Sequence, residues 1–225
     1  MSRRAEPVVC FSHLRWNDSY QRPHHLLRRA GREREVYFVE QPVYDEVMPA
    51  MTTWSAAPGV TVVCPHLPVE MTPAQADGAQ RRMLADLIAE LSDRPVLWYY
   101  TPMALRYAPQ VDAAAIVYDC MDEPALVEGT APELGAREAQ LVAMADVVFT
   151  DSDTVQNHKL AASRHPHIYP FPSRLGSFEV SPDQTWTSMW ALVERATKAR
   201  RRRAIAERRI LSQPSIQLPA LATLD

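Results

Sequence analysis

Two polar stretches of the sequence follow apolar, strand-like runs and carry side chains that can do chemistry. Residues 12–18 follow the first of these runs and include His13. Residues 119–123 follow a later run and contain three carboxylates, Asp119, Asp122 and Glu123. A histidine with an ordinary pKa of about 6.5 can accept a proton from a hydroxyl group, and a nearby carboxylate can stabilise the imidazolium that results. The two stretches together predict a candidate site for general-base chemistry.

Each stretch also has a purely structural interpretation, which the sequence alone leaves open. Asn17 and Asp18 suit the cap of a helix that begins near Gln21 or Arg22. The carboxylates of residues 119–123 suit capping and exposure to solvent. In a parallel α/β sheet, however, ligands bind outside the carboxyl ends of the strands, so polar side chains at those ends favour a functional site.

Seven short apolar runs predict the strands that would position these residues. They lie at residues 8–11, 36–39, 60–64, 96–100, 114–118, 147–150 and 168–171. Helical spacing and capping residues predict helices at 21–30 with Gly31 as a left-handed stop, from Pro73 to Leu91, from Pro102, and at 134–145. Residues 41–59 contain three prolines and no periodic pattern, which predicts a long irregular connection.

Strands that alternate with helices predict an α/β fold with a Rossmann-like parallel sheet wound on both faces. In the order 3-2-1-4-5-6, the fifth strand lies two positions from the first, about 10 Å away at about 4.8 Å per step. A long loop could therefore bring Asp119 or Asp122 within reach of His13. Asp151, after the sixth strand, is expected to cap the helix that follows it.

The pattern changes beyond Pro172. Pro182 and Asp183 open a helix that carries Trp186, Met189, Trp190 and Val193 on one face. We expect this C-terminal helix to pack on the sheet domain as far as about Arg200. A basic run, residues 198–203, ends it, and a proline-containing tail follows.

Composition excludes several functional classes. The chain has 225 residues and a formal net charge of -3, so nothing in the overall charge favours nucleic acid as a partner. No stretch approaches the roughly 20 apolar residues of a membrane span, and the start lacks the apolar core of a signal peptide, which predicts a cytoplasmic protein. The three cysteines have no CxxC spacing, and neither a metal site nor a GxGxxG or P-loop cofactor motif is found. We therefore expect no metal and no cofactor.

Six separated motifs in the chain resemble one family. They read FSHLRW, YQRPHHLL, VYFVEQPV, LWYYTPMAL, IVYDCMDE and ADVVFTDS, and they span about residues 8–173. In this order they resemble the N-terminal half of bacterial glycosyltransferases of the GT-B type, related to the glycosyltransferase 1/4 groups. In that family the N-terminal Rossmann-like domain holds the sugar acceptor and the C-terminal one holds the nucleotide sugar.

The resemblance implies roles for particular residues. Some of these enzymes present a base from the position that His13 occupies. The resemblance therefore makes His13 a catalytic candidate, together with Asp119 and Asp122. Candidates for substrate binding are two arginines, two aromatic residues that could stack on a sugar and one carboxylate: Arg15, Trp16, Arg22, Tyr100 and Glu123. A core position for the aromatic residues is the competing interpretation.

The resemblance also implies how the chain is organised. Residues 1–174 match the acceptor domain, residues 175–203 a linker and the helix that crosses back onto it, and residues 204–225 a flexible tail. The Gly-rich turn and the ExxxxxxxE segment of the donor domain are missing. We expect an acceptor-side half that transfers a sugar to a cell-envelope acceptor only with a donor domain, so whether the chain alone is an enzyme stays open. A non-catalytic module that keeps the acceptor groove and docks on a partner is the alternative.

One further partner is predicted from the basic run. Next to a Trp-bearing helix face, Arg200, Arg201, Arg202 and Arg203 could hold the protein at the inner, anionic surface of a membrane. The competing interpretation is a solvated helix end.

Overall fold

The computed structural model describes residues 5–121, 132–151, 155–157, 167–172, 174–175, 178–179 and 181–211. Four helices are labelled here: α1 (Arg22–Gly31), α2 (Pro73–Ala89), α3 (Pro132–Met144) and α4 (Pro182–Leu211), with a short 3-10 helix at Pro102–Arg106. The strands are β1 (Val8–Phe11), β2 (Val36–Val39), β3 (Val43–Tyr44), β4 (Ala50–Ala57), β5 (Val60–Leu67), β6 (Val96–Tyr99), β7 (Ala115–Cys120), β8 (Val147–Thr150), β9 (Ile168–Pro170), β10 (Arg174–Leu175) and β11 (Phe178–Glu179).

Nine of these strands form one sheet. Its order is β3-β5-β2-β1-β6-β7-β8-β9, with β4 paired to β5. Every neighbouring pair is parallel except β4 with β5, which is antiparallel. The predicted order is confirmed: β1 has β6 beside it and β7 one step further, so the carboxyl ends of these strands lie along one edge.

Helices cover both faces of the sheet, as predicted. On one face, Leu26 and Leu27 of α1 and the indoles of α4 join one apolar cluster with side chains of β1, β2, β5, β6, β7 and β8. On the other face, Leu84 of α2 and Leu141 of α3 join a second apolar cluster. Burial of apolar surface on two sides of a parallel sheet is the main term that stabilises such a fold.

The predicted apolar face of α4 is confirmed. Trp186, Met189, Trp190 and Val193 are all buried in the cluster that contains α1. The helix continues to Leu211, past residue 204, where the flexible tail was expected to begin. Residues 212–225 lie outside the described part of the chain.

Two local predictions were wrong. Residues 41–59, expected to be irregular, contain β3 and β4, and β4 pairs with β5 along most of its length. Gly31 was expected to stop α1 in a left-handed conformation, but Arg32 ends the helix with φ of -70°. The positive φ occurs instead at Gly59, in the turn between β4 and β5, where φ is 71°.

Gly59 is required by its position as well as by its backbone. A Cβ at this residue would meet the Gly31 carbonyl oxygen, because the β4–β5 turn lies against the end of α1. We expect Gly59→Ala to lower the free energy of unfolding by about 2 kcal/mol or more, from left-handed strain of roughly 1–2 kcal/mol plus this overlap.

A second glycine provides the control for this measurement by urea unfolding. Gly78 lies inside α2, and a Cβ added there would lie 3.8 Å from its nearest neighbour, an atom of Arg82. Gly78→Ala should therefore stabilise the chain by about 0.5–1 kcal/mol. Equal effects of the two substitutions would contradict a special role for the β4–β5 turn.

The three cysteines are free and buried within the sheet. Cys10 lies in β1, Cys64 in β5 and Cys120 in β7. Burial, with a smaller contribution from the Asp119 carboxylate, raises the pKa of the Cys10 thiol well above its usual value.

Candidate functional site

An arginine joins two carboxylates at the carboxyl edge of the sheet. Arg22 is the first residue of α1, and its guanidinium lies 2.6 Å (Nη2 to Oδ1) from Asp119 and 2.7 Å (Nη1 to Oδ1) from Asp151. Asp119 lies near the end of β7, and Asp151 directly follows β8. The Arg22 Cζ atom also lies 4.0 Å from the centre of the Phe171 ring. We call Arg22, Asp119, Asp151 and Phe171 the edge site.

The Asp119 carboxylate is fully buried, with 0% of its side chain exposed. Burial raises its pKa, and the Arg22 guanidinium offsets only part of that effect. Burial also lowers the pKa of Arg22, but the two neighbouring carboxylates outweigh it and hold the pKa above its usual value. The pair is therefore an ion pair in a medium of low polarity, where removing either partner is costly.

Two buried donors face the same carboxylate. The Tyr100 hydroxyl and the Trp98 indole N–H both lie close enough to Asp119 to lower its pKa. Neither reaches the geometry of a hydrogen bond, and Asp119 Oδ2 has no hydrogen-bond partner among the described residues. Burial, followed by the Asp119 charge, raises the pKa of the Tyr100 hydroxyl well above its usual value. Buried polar atoms without a partner are rare, and groups with perturbed pKa values cluster at functional sites, so this cluster makes the edge site a candidate functional site.

A cavity opens next to Arg22. It has a volume of about 560 Å³ and lies between α1 and the start of α4. Its lining includes Arg22, His25, Leu26, Phe171, Pro182 and Thr185. A cation beside an aromatic ring in a cavity of this size suits a ligand that has hydroxyl or anionic groups on a carbon ring.

The loop after β1 is held by a carboxylate that the sequence analysis did not select. Glu40, buried at the end of β2, accepts a hydrogen bond from Arg15 Nη1 at 3.2 Å and from the Trp16 backbone N–H at 2.7 Å. The Arg15 side chain remains 37% exposed. Arg15 can therefore contact a ligand at this edge while Glu40 fixes its position.

The two aromatic residues predicted to contact a sugar are both buried. Trp16 is 6% exposed and packs edge-on against Phe38 at 5.1 Å between ring centres, and Tyr100 is 4% exposed. His24 Nε2 lies 2.9 Å from the Trp16 carbonyl oxygen and anchors the loop from α1. As placed, these rings support the loop and the edge site, in line with the competing core interpretation, rather than present a face to a ligand.

The predicted catalytic residues are not joined to one another. His13 is half-buried in the loop after β1, and no hydrogen bond or ion pair links it to Asp119 among the described residues. Asp119 pairs with Arg22 instead. Asp122 and Glu123 lie outside the described residues.

The structure reveals a second histidine at the same edge. His66, at the end of β5, has Nδ1 2.7 Å from Asp45 Oδ1 and Nε2 2.9 Å from the Thr52 hydroxyl. Because an ionised carboxylate only accepts, Nδ1 of the neutral ring carries the proton and Nε2 accepts from Thr52. Cys64, two residues before His66 and on the same face of β5, has its Sγ 3.8 Å from Arg15 Nη1.

No sequence signal pointed to this group of three. Asp45 is 21 residues from His66 and Thr52 is 14 residues from it, and only the pairing of β3 and β4 with β5 brings them together. The sequence would have indicated this group only if a strand at residues 50–57 had been predicted.

The described part of the chain offers neither a metal cluster nor a membrane span. No three His, Cys, Asp or Glu side chains there are arranged to hold a metal ion. No helix among the same residues is both long and apolar enough to cross a membrane.

Comparison with known proteins gives matches only among solved structures. Neither the models of protein families nor the curated proteins give a match. The chain is similar to a structure described as trehalose-6-phosphate from E. coli bound with UDP-2-fluoro glucose, with 11% identity, a TM-score of 0.45 and coverage of 69% of this chain and 42% of that one.

Two further structures are similar. One is an α,α-trehalose-phosphate synthase (UDP-forming) from Burkholderia xenovorans, with 10% identity, a TM-score of 0.41 and coverage of 71% and 44% of the two chains. The other is described as trehalose-6-phosphate synthase, OtsA, with 11% identity, a TM-score of 0.46 and coverage of 75% and 49%. The chain thus spans less than half the length of each of these structures.

Proposed function

We propose that this chain is the acceptor-side half of a glycosyltransferase-like protein, which moves a sugar from a nucleotide-sugar donor to a cell-envelope saccharide or lipid-linked acceptor. One observation carries the proposal: each of the six motifs that resemble GT-B glycosyltransferases contributes one residue along the carboxyl edge of the sheet. These residues are His13, Arg22, Glu40, Tyr100, Asp119 and Asp151. Motifs that lie far apart in the sequence therefore converge where a doubly wound sheet binds its ligand.

The edge site suits the recognition of an acceptor rather than a nucleotide. Arg22 and Arg15 offer guanidinium groups to hydroxyl or anionic groups, and the cavity of about 560 Å³ beside Arg22 is large enough for a saccharide unit. His13 takes the proton of the attacking hydroxyl, and the oxygen then bonds to the anomeric carbon of the donor as the bond to the nucleoside diphosphate breaks and that group leaves. The donor is held by a complementary domain that faces this edge.

A non-catalytic binding module is the second candidate, and one observation favours it. Arg22 is already engaged by Asp119 and Asp151, and His13 has no carboxylate partner among the described residues. A site of this kind could bind an acceptor and present it to a partner without taking part in the chemistry. In either case we place the protein in the cytoplasm.

Calorimetry and turnover assays distinguish the two candidates. The purified 225-residue chain should bind saccharide acceptors, bind UDP and GDP sugars weakly at best, and transfer no sugar. Addition of a donor domain, encoded for example by a neighbouring reading frame, should restore transfer if the chain is half of an enzyme. Turnover by the chain alone would contradict the proposal that the chain is half of an enzyme. If no added donor domain restores sugar transfer, the result favours the binding module.

The same reconstituted enzyme tests which histidine is the base. His13→Ala should lower kcat by about 100-fold, as expected for loss of general-base catalysis. His66→Gln is the matched comparison, because His66 lies at the same edge but is already paired with Asp45 and Thr52. Loss of turnover in the His66 variant alone would move the role of base to His66.

A further inference from the structure

A second cavity lies at the opposite edge of the sheet from the edge site. We call it the basic groove; its volume is about 650 Å³, and its lining includes Glu6, Arg34, Trp190, Lys198, Arg201 and Arg202. Glu6 precedes β1 and Arg34 precedes β2, so the groove lies at the amino ends of the strands, beneath α4. It is therefore separate from the edge site, which lies at the carboxyl ends.

Arg34 is a buried cation at the base of the groove. Its side chain is 7% exposed, and its Cζ atom lies 3.5 Å from the centre of the Trp190 ring. The charge of Arg34 is only weakly compensated by its neighbours. Nη2 is 3.6 Å from Glu33 Oε2, and Nη1 is 3.4 Å from the Glu6 carbonyl oxygen. Nε has no hydrogen-bond partner among the described residues. Burial lowers the pKa of Arg34, so an anion in the groove would restore a favourable environment for its charge.

The basic run of α4 is divided between two sides of the helix. Arg200 and Arg203 lie at 2.8 Å and 3.7 Å from Asp146, at the start of β8, and are engaged there. Arg201 and Arg202 instead line the groove and form no ion pair with any described residue. Residues one turn apart on a helix share a face, which explains why the run separates in this way.

The charge of the groove lining is positive. Four cations, Arg34, Lys198, Arg201 and Arg202, face two carboxylates, Glu6 and Glu194. Glu194 is engaged by Lys198 at 3.3 Å. The excess of two positive charges matches a phosphate monoester, which carries nearly two negative charges at neutral pH.

We propose that the basic groove binds the phosphate group of a small phosphate monoester. Guanidinium groups bind phosphate oxygens through paired, charge-assisted hydrogen bonds, and Arg34, Arg201 and Arg202 provide three of them. Trp190 and Ile205 add apolar surface to the lining, which suits a carbon substituent on the phosphate. This proposal does not depend on the proposed function, because the groove shares no lining residue with the cavity beside Arg22.

Titration of the full chain with phenyl phosphate tests the proposal, with Trp fluorescence and calorimetry as readouts. We expect saturable binding, a change in fluorescence from Trp190, and weaker binding of inorganic phosphate, which lacks the carbon substituent. The variant Arg201→Gln/Arg202→Gln should weaken binding about 10-fold or more, as expected for loss of hydrogen bonds to a charged group. These two side chains are exposed, so the variant should fold even if Arg34→Gln does not.

The matched control removes the same number of charges elsewhere. Arg32, directly after α1, and Arg82, on α2, are both exposed and do not line the groove. Arg32→Gln/Arg82→Gln should leave phenyl phosphate binding unchanged. Equal weakening by both double variants would mean that overall charge governs binding, and it would overturn the proposal, as would the absence of saturable binding.

Binding to lipid vesicles distinguishes a small phosphate monoester from a lipid headgroup as the ligand of the groove. The chain is mixed with vesicles of phosphatidylcholine, with and without about one-third phosphatidylglycerol, and sedimented. Sedimentation with the anionic vesicles that is lost in Arg201→Gln/Arg202→Gln, without binding of phenyl phosphate, would overturn the proposal of a small ligand. In that case the groove would bind a lipid headgroup and would form part of the membrane contact predicted from the basic run. Binding of phenyl phosphate alone would support the proposal.

Discussion

Replacement of Arg22 by methionine is expected to lower the free energy of unfolding by about 3–5 kcal/mol. The substitution keeps an apolar chain of similar length but leaves the Asp119 carboxylate, which is completely buried, without its counter-charge. Urea unfolding at neutral pH measures the loss. Arg28→Met is the control, because Arg28 is exposed on the same helix, and we expect less than about 1 kcal/mol for it.

The pH dependence of this variant has a definite sign. Burial raises the pKa of Asp119 above that of an unfolded chain, so in the interval between the two values the native state binds more protons than the unfolded state. Stability therefore falls as the pH rises through that interval. Without Arg22, which lowers this pKa, the interval extends to higher pH, and Arg22→Met should regain stability as the solution is acidified.

A second substitution separates the buried charge from other effects of losing Arg22. Asp119→Asn removes the charge, so Arg22→Met/Asp119→Asn should be more stable than Arg22→Met alone. It should also lose the added pH dependence. If the double variant is no more stable than the single one, the loss comes from packing on Phe171 and not from the unpaired carboxylate.

Trp190→Ala is expected to lower the melting temperature by about 10 °C. Removal of a buried indole costs about 3–5 kcal/mol, and about 1 kcal/mol corresponds to roughly 2–4 °C in a chain of this size. The Trp190 ring stacks on Trp186 at 5.1 Å, and Trp186 stacks on Trp98 of β6 at 6.1 Å. The three indoles therefore connect α4 to the centre of the sheet.

Thermal unfolding followed by circular dichroism measures this effect. Thr187→Ala, on the exposed face of the same helix, is the control and should shift the melting temperature by a few degrees at most. An unchanged melting temperature in Trp190→Ala would mean that α4 is detached from the sheet in solution.

The sequence predicted the sheet well because its strands are buried on both faces. Val8–Phe11, Val96–Tyr99 and Val147–Thr150 are buried throughout, and such strands appear as continuous apolar runs. Strand β4 was missed because it pairs with β5 alone and only one of its eight residues, Ala57, is buried. Most of its residues are small or polar, so the strand does not appear as a continuous apolar run.

Two residues of the edge site, Arg22 and Asp119, were predicted as site residues, but their pairing was not. The positions of Asp119 and Arg22 followed from the ends of a strand and a helix. Arg22 and Asp151 are 129 residues apart, and Asp151 was expected only to cap a helix. The order of strands shows which ends meet, but a long guanidinium side chain reaches several neighbours, and packing decides which carboxylate it contacts.

Cys10 is buried at the centre of the sheet, so the rate at which a thiol reagent labels it reports the opening of the sheet. Only a thiolate reacts quickly with alkylating or oxidising reagents, and this thiol is enclosed between β2 and β6 with its pKa raised. Labelling at Cys10 must wait until the central strands separate, whereas Cys64, which lies opposite Thr52 in the pairing of β4 with β5, reports on the hairpin. The two labelling rates therefore report global and local unfolding in one molecule, without an introduced cysteine.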